Sequence, residues 1–315
     1  NHVEKSPEHN DIAQIGNIKA YFSGNYALST KNSAYGGAIA NFYVKSQNDY
    51  KNAIIDSING TFEKNYAKTE STDSSKGAYG GAISNTATIK AINNSVFNKN
   101  YAISVGGSNA YGGAISNTAT INAINNSTFK NNYAISNNGS NALGGAIYTT
   151  QDLVINANDN KLTEFTGNYV STDGGATKNY EAINVDASGK TLKLNATTGG
   201  TILLNDYING VNGYNVLLTG DDTGTIKLYN NADFKGGANV TVDGNVVIDT
   251  ADGIIQNFSK FNSLKSDASA KYNIDLDLSK ANSGQSNYTI GDKIADGFTT
   301  QTSSGGTITI DNLNI

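Results

Sequence analysis

Two short phrases alternate along the first half of the chain, and this repetition limits the fold more than any other sequence feature. Gly-Gly-Ala-Ile occurs at Gly36–Ile39, Gly80–Ile83, Gly112–Ile115 and Gly144–Ile147, with a decayed copy at Gly174–Thr177. Phe-x-x-Asn-Tyr begins at Phe22, Phe62, Phe97, Phe129 and Phe165. Self-similarity of this kind is typical of solenoids, in which each repeat packs only on its neighbours.

The two most similar copies, Tyr79–Ala110 and Tyr111–Ala142, have the same length and are identical at most positions. Their short segments are rich in Ile, Val, Thr, Phe and Tyr and are separated by Asn, Gly and Ser, which is strand and turn chemistry. We expect one repeat to contain strands around Ala82–Asn85, Thr86–Ile92 and Ser95–Phe97, followed by a loop over Tyr101–Ala110. Three short strands per repeat predict an all-β fold, a parallel β-helix, with Ile83, Ile89 and Phe97 pointing inward.

A bend must fall inside the Phe-x-x-Asn-Tyr phrase, because straight alternation would bury Lys64 and Lys99 at a high desolvation cost. We expect its Asn at the corner, since Asn tolerates the left-handed conformation and bonds to its own backbone. Coils stack about 4.8 Å apart, so identical corners would place Asn above Asn in a ladder. The Gly-Gly pair fits a corner without room for a Cβ. The predicted structural repeat residues are Gly36, Gly37, Phe62, Asn65, Gly80, Gly81, Phe97, Asn100, Gly112, Gly113, Phe129, Asn132, Gly144, Gly145, Phe165 and Asn168.

The alternation of these two phrases resembles the repeats of chlamydial polymorphic outer membrane proteins and related bacterial autotransporters, over about residues 21–179. The resemblance implies a right-handed coil, in agreement with the crossover rule for parallel strands. It also implies a passenger segment on the outer membrane of a Gram-negative bacterium, or released from it, with a membrane barrel outside this chain.

On this interpretation the chain has three parts. Residues 1–20 form an N-terminal leader or cap that is partly flexible, and residues 21–180 form the repeat coils. Residues 181–315 form less regular coils of the same β-helix, with strand-like runs that recur at short, fairly even intervals. Within them, Phe261–Leu278 resembles the late passenger region of large autotransporters, so the natural chain is expected to continue to the barrel.

The composition excludes several kinds of chemistry. The sequence has no Cys and no Arg, and its only His residues are His2 and His9. It therefore lacks a thiol nucleophile, a thiolate zinc site and a bidentate anion clamp, and a Ser-His-Asp arrangement would take its base from the end of the chain. The net charge of −5 argues against a nucleic-acid partner. We expect a protein that is not an enzyme and that binds no cofactor and no metal.

A polysaccharide-degrading enzyme is the alternative from another class, because pectate lyases and polygalacturonases also use parallel β-helices. The lyase version loses its Arg base here, and the hydrolase version needs paired carboxylates. The candidate pairs are Asp221 with Asp222, and Asp275 with Asp277. The first pair lies in a Gly-Asp-Asp-Thr-Gly turn and the second on one face of a strand, so we interpret both as structural.

Three tyrosines precede Gly-Gly at equivalent positions, and we expect them to stack: Tyr35, Tyr79 and Tyr111. A stacked column could bind a sugar, or it could pack on itself and stiffen the coil. The fourth equivalent residue is Leu143, which keeps packing but not hydrogen bonding and so favours the packing alternative.

The expected function is adhesion by a stiff repetitive stalk whose many weak contacts add up. The partner would be a host-cell surface receptor or glycan. The alternative within adhesion is self-association between passengers, which would drive bacterial aggregation and biofilm formation through a flat Asn-rich face. In a further alternative the segment is a spacer and the binding tip lies elsewhere.

Overall fold

The computed structural model describes residues 13–46, 49–51, 53–137, 141–244 and 246–250, and beyond them the strands Leu264–Ser266, Lys271–Leu276, Thr300–Thr302 and Thr307–Thr309. The described chain is all-β and forms stacked parallel sheets of short strands, so the predicted parallel β-helix is confirmed. The handedness of the coil stays a prediction. Among the described residues, no helix has the length and apolar character needed to cross a membrane.

Four parallel sheets run along the coil. Sheet 1 contains the strands Ala13–Ser23, Ala53–Glu63, Thr88–Ile89, Ile92–Asn93, Val96–Asn98, Thr120–Ile121, Ile124–Asn125, Thr128–Lys130, Leu153–Ala157, Leu162–Thr166, Thr191–Ala196, Thr201–Leu204, Asn215–Gly220, Thr225–Leu228, Asn239–Gly244, Val247–Thr250, Leu264–Ser266, Lys271–Leu276, Thr300–Thr302 and Thr307–Thr309. Sheet 2 contains Tyr26–Ser29, Tyr66–Thr69, Tyr101–Ser104, Tyr133–Ser136 and Tyr169–Ser171.

Sheet 3 contains Ala34–Tyr35, Gly77–Tyr79, Asn109–Tyr111 and Ala142–Leu143. Sheet 4 contains Ile39–Asn41, Ile83–Asn85, Ile115–Asn117, Ile147–Thr149, Glu181–Val185 and Tyr207–Gly210. A separate antiparallel pair, Val44–Ser46 with Asp49–Lys51, leaves the coil between two repeats. From Gly77 the chain passes through sheets 3, 4, 1 and 2 and returns to sheet 3 at Asn109, which pairs with Gly77.

The main core lies between sheets 1 and 4 and is built from columns of identical side chains. The Phe residues of the repeats stack with ring centroids 4.7–4.8 Å apart, in the order Phe22, Phe62, Phe97, Phe129 and Phe165. The predicted inward residues Ile83, Ile89 and Phe97 are completely buried, so this prediction is confirmed. Full burial of such a side chain stabilises the fold by about 1.5–3 kcal/mol.

Sheets 2 and 3 form a thin projection from this core, which we call the fin. Their inner faces meet almost entirely through alanine side chains, at Ala34, Ala67, Ala78, Ala102, Ala110, Ala134 and Ala142, with Val170 at one end. The prediction of a loop over Tyr101–Ala110 is therefore wrong, because Tyr101–Ser104 and Asn109–Tyr111 are strands of the fin. An inward row of Ala gives little hydrophobic signal, yet it lets two backbones approach closely enough to form a dry layer.

The corner inside Phe-x-x-Asn-Tyr is one residue earlier than expected. The residue with positive φ is not the Asn but the one before it, at Gly24, Lys64, Lys99, Asn131 and Gly167. The Asn side chain does not bond to its own backbone; it turns inward, where Asn65, Asn100 and Asn132 are fully buried. Lys64 remains solvent-exposed, as the desolvation argument required.

The buried Asn residues form the predicted ladder. Asn100 donates from Nδ2 to Oδ1 of Asn132 at 3.0 Å and to the carbonyl oxygen of Phe62 at 2.9 Å. The backbone N–H of Asn100 also donates to Oδ1 of Asn132, at 2.9 Å. The same pattern runs from Asn25 to Asn168, and its last acceptor is the carboxylate of Asp206. A second buried ladder joins Asn41, Asn85 and Asn117 on sheet 4.

The coils shorten after the last strand of the fin. In the repeat coils Gly77 pairs with Asn109, one full turn of the coil later. In the later coils Thr191 already pairs with Asn215, and Asn215 with Asn239, so each turn there uses fewer residues. The missing length corresponds to sheets 2 and 3, whose last strands are Tyr169–Ser171 and Ala142–Leu143. The fin is thus a feature of the repeat coils. Residues 1–12 lie outside the described residues, as does all of Phe261–Leu278 except the strands Leu264–Ser266 and Lys271–Leu276.

Candidate functional site

A continuous row of tyrosines covers the outer face of sheet 2. We call it the tyrosine column, and it consists of Tyr26, Tyr66, Tyr101, Tyr133 and Tyr169. Successive ring centroids are 4.9–5.2 Å apart and the ring planes are within 14° of parallel. Both faces of the three inner rings, Tyr66, Tyr101 and Tyr133, are therefore covered by neighbouring rings, and these residues present ring edges and hydroxyl groups to solvent.

Three hydroxyl groups of the tyrosine column, those of Tyr101, Tyr133 and Tyr169, remain protonated at neutral pH. Burial raises the pKa of Tyr133 to about 12, with smaller contributions from Tyr169 and Tyr101. Burial also raises the pKa of Tyr101 and of Tyr169 above the ordinary value of 10.0. These groups can therefore donate hydrogen bonds to a ligand at a spacing of one coil.

A second row runs parallel to the tyrosine column at the left-handed corner. Lys64 and Lys99 occupy it in two successive coils with φ of 54° and 56°, and Asn131 and Gly167 follow them. In Lys-Asn-Tyr the middle side chain points into the core, so the Lys and the Tyr on either side of it both face solvent. The ammonium group of Lys64 is 3.8 Å from Glu63 and its side chain is 61% exposed. An exposed pair of this kind contributes little to stability.

These two rows form the walls of a surface groove of about 610 Å³, which we call the fin groove. It is lined by Lys64, Lys99, Tyr101, Asn131, Tyr133, Gly167, Tyr169, Lys178 and Tyr180. The corner residues come from four successive coils, so the groove extends over about 14 Å along the axis. Its described lining contains three lysines and no carboxylate.

The segment after the last strand of sheet 2 closes one end of the fin groove. Asn179 pairs with Val170 in an antiparallel bridge, and this places the Lys178 ammonium 4.8 Å from the centre of the Tyr169 ring. Asp173 fixes the turn between them, because its Oδ1 accepts hydrogen bonds from Ser171 and from the backbone of Thr177. A smaller cavity of about 320 Å³ continues past Lys178 and Tyr180 to Tyr207.

The tyrosines predicted to bind a ligand lie on the opposite face of the fin, on sheet 3. Tyr35 stacks on Tyr79 at 5.0 Å, but Tyr79 and Tyr111 are tilted by 59°. Leu143 pairs with Tyr111 in register, and the ring of Tyr148 packs on Tyr111 instead, at 4.5 Å. Ligand binding by Tyr35, Tyr79 and Tyr111 stays a prediction.

The fin groove is not among the predictions from sequence, because the Tyr of Phe-x-x-Asn-Tyr serves there only as a marker of the repeat. The sequence feature that indicates the groove is the position of this Tyr directly after the buried Asn. An inward Asn forces both neighbours outward, so a lysine before it and a tyrosine after it share one surface. Lys64 with Tyr66 and Lys99 with Tyr101 meet this condition in successive copies.

Of the acidic residues that sequence offers for hydrolysis, Asp221 has a structural role. Asp221 accepts hydrogen bonds from the backbone N–H groups of Thr198, Thr223 and Gly224. Hydrogen bonds, first from the Thr223 side chain, lower the pKa of Asp221, as expected for a turn carboxylate. Asp277 lies outside the described residues. Within the described ranges there is no group of three or more His, Cys, Asp and Glu residues suited to a metal ion.

A third asparagine ladder lies on the outer face of sheet 1. Asn125 donates to Asn93 at 2.7 Å, Asn156 to Asn125 at 2.7 Å, and Asn195 to Asn156 at 2.9 Å. All these side chains are half-buried. This outer ladder presents amide groups at the coil spacing over three steps.

Comparisons with protein-family models, with curated proteins and with solved structures find no match to this chain. The resemblance to polymorphic outer membrane proteins therefore stays a prediction that is based on the two repeat phrases.

Proposed function

We propose that this chain is an adhesin, a surface-displayed β-helix of the autotransporter passenger type that attaches to a surface through the fin. The fin groove carries the proposal. Its tyrosines recur in successive coils and its lysines in two of them, and repeated weak contacts gain strength from multivalency. The rigid stacking of the tyrosine column keeps the side chains preorganised, which lowers the entropy cost of binding.

Bead adhesion tests this function. Beads coated with the chain should bind cultured epithelial cells above the level of albumin-coated beads. The double substitution Lys99→Glu with Lys178→Glu reverses two charges of the fin groove and should reduce binding. The matched control, Lys19→Glu with Lys193→Glu, makes the same charge change on sheet 1 and should leave binding unchanged. Equal binding of all coated beads and albumin beads would refute adhesion.

Self-association is a second candidate function, and the outer Asn ladder favours it. A flat row of amides can dock on a second copy about a two-fold axis, with each amide both donating and accepting. Sedimentation of the chain across concentrations should then show reversible dimers that respond weakly to salt. Asn125→Asp with Asn156→Asp would place like charges in the contact and should abolish them, whereas Asn212→Asp in an exposed turn should not. A monomer at all concentrations excludes this candidate.

The enzyme alternative lacks a comparable observation. A hydrolase needs two carboxylates flanking a bound sugar chain. The described residues that line the fin groove supply lysines, tyrosines, an asparagine and a glycine instead.

A further inference from the structure

We infer that the ligand of the fin groove is an anionic polysaccharide, a chain of sugars that carries carboxylate or sulfate groups. This inference rests on the proposed adhesive function and names the chemistry of its ligand. It depends on three properties of the groove: its local charge, the kind of hydrogen-bonding groups on its walls, and their spacing.

The local charge of the fin groove opposes the charge of the whole chain. The sequence carries a net charge of −5, yet Lys64, Lys99 and Lys178 converge on one groove whose described lining has no carboxylate. Two carboxylates contact the lining residues from beside the groove. Glu63 is 3.8 Å from the Lys64 ammonium and also accepts a hydrogen bond from the Tyr21 hydroxyl at 2.5 Å. Asp206 is buried and accepts a hydrogen bond from the backbone N–H of Gly167 at 2.9 Å. A positive groove in an acidic protein raises the local concentration of anionic ligands and steers them away from the rest of the surface.

The walls of the fin groove mainly donate hydrogen bonds. An ammonium group has three donors and no acceptor, and the protonated tyrosine hydroxyls can donate as well as accept. Carboxylate and sulfate oxygens accept such bonds, and charge-assisted bonds are about twice as strong as neutral ones. Sugar hydroxyl groups between the anionic groups can pair with the tyrosine hydroxyls.

The spacing and stacking of the wall residues favour a sugar chain over two other kinds of polyanion, an acidic peptide and a single-stranded nucleic acid. Rings of the tyrosine column repeat at 4.9–5.1 Å along the groove, and a pyranose unit in an extended chain is of comparable length. In an extended peptide, the side chains on one side recur about every 6.7 Å, which does not match the spacing of the tyrosine rings. Single-stranded nucleic acid binds by stacking bases on aromatic faces, but here the faces are covered by neighbouring rings.

Binding titrations test this inference with defined probes. Tyrosine fluorescence of the full chain would be followed against heparin, polygalacturonate, dextran and poly-L-glutamate. We expect binding of heparin or polygalacturonate that weakens as NaCl is raised, with dextran and poly-L-glutamate at least about tenfold weaker. The triple substitution Lys64→Gln, Lys99→Gln, Lys178→Gln should weaken polysaccharide binding at least about tenfold.

The matched control is a second triple variant, Lys19→Gln with Lys161→Gln and Lys193→Gln. It removes the same charge from the side of the coil that sheet 1 forms, and it should change polysaccharide binding less than about twofold. Circular dichroism would establish that both variants are folded.

Several outcomes would overturn the inference. Equal losses in the two triple variants would show that binding depends on net charge and not on the groove. Dextran or poly-L-glutamate binding as tight as that of polygalacturonate and heparin would show that the ligand class is wrong, as would no binding of either acidic polysaccharide. The bead assay separates these failures from failure of the function. Adherent beads without polysaccharide binding leave adhesion standing and reject the ligand, whereas polysaccharide binding without adherent beads rejects adhesion and keeps the binding site.

Discussion

The backbone of Gly81 lies against the backbone of Tyr101, at the neck where the fin leaves the main core. A Cβ atom on Gly81 would overlap the nitrogen and the oxygen of Tyr101. The same contact recurs in the preceding coil, where a Cβ on Gly37 would be 2.6 Å from the nitrogen of Tyr66. The second Gly of one repeat phrase and the Tyr of the other are therefore direct neighbours, which explains physically why the two phrases alternate.

Gly81→Ala should destabilise the fold by about 3 kcal/mol, because the atoms that a Cβ would meet are backbone and cannot rotate away. Thermal and urea unfolding followed by circular dichroism would measure the loss. Gly16→Ala is the matched control, since a Cβ there meets nothing within 4 Å. It should change stability by less than about 0.5 kcal/mol. Equal stability of the two variants would contradict the close approach.

Much of the fold could be predicted because identical repeats must stack in register. Phe97 over Phe129 and Asn100 over Asn132 follow from the two phrases alone. The corner was misplaced by one residue, since Lys64 has no sequence feature that favours a positive φ. Its conformation is imposed by the buried Asn beside it, which gains hydrogen bonds to two neighbouring coils.

The candidate site was harder to predict than the fold. The fin packs through Ala102 and Ala110, and a row of small side chains does not distinguish a strand from a loop in sequence. Tyr101 becomes part of a groove wall only because the fin exists. The tyrosines chosen from sequence, Tyr79 and Tyr111 among them, belong to the other face of the same fin.

Asn100→Ala tests the buried ladder. The substitution removes the acceptor of the Asn65 side chain and the donor to the Phe62 carbonyl, and both partners stay buried. The Asn65 side chain keeps its bond to the Phe22 carbonyl, but the Asn65 backbone N–H also loses its acceptor. Each buried polar group left without a partner costs about 1–3 kcal/mol, so the loss at the Asn65 N–H and the Phe62 carbonyl should total about 2–6 kcal/mol of unfolding free energy.

Asn122→Ala is the control for this substitution, because Asn122 is an exposed residue of the next repeat. It should be nearly neutral in the same urea titration. A ladder that contributed nothing would make the two alanine variants indistinguishable.

The stability of the fold should depend on pH, because the Asn ladder ends at the buried carboxylate of Asp206. Burial raises its pKa to about 6, although Asn168 and Gly167 donate hydrogen bonds to it. The Asp206 carboxyl therefore binds its proton more tightly in the folded chain than in the unfolded chain, where its pKa is 3.8. The stabilising effect is fully present below about pH 4 and is lost as the pH rises through about 6.

Asp206→Asn should thus stabilise the chain at pH 7 by up to about 3 kcal/mol, and the gain should shrink towards pH 4. The amide oxygen can still accept the bonds from Asn168, but the amide nitrogen in the other position cannot accept the bond from the backbone N–H of Gly167, so the gain falls below this upper limit. Urea unfolding of both proteins between pH 4 and pH 8 would measure the difference, with Asp222→Asn in an exposed turn as the control. A constant difference between Asp206→Asn and the wild-type chain across this range would contradict a titrating Asp206.

Tyr133 tests whether the tyrosine column stabilises the fin. Its ring stacks on Tyr101 at 5.0 Å and on Tyr169 at 5.1 Å, so Tyr133→Ala removes two aromatic contacts. Each such pair contributes about 0.5–1.5 kcal/mol beyond its buried area, and a loss of about 2–3 kcal/mol is expected in thermal unfolding. Tyr133→Phe keeps both ring contacts and removes only the hydroxyl group, so it should retain wild-type stability. If Tyr133→Phe were as unstable as Tyr133→Ala, the hydroxyl group and not ring stacking would hold the column together.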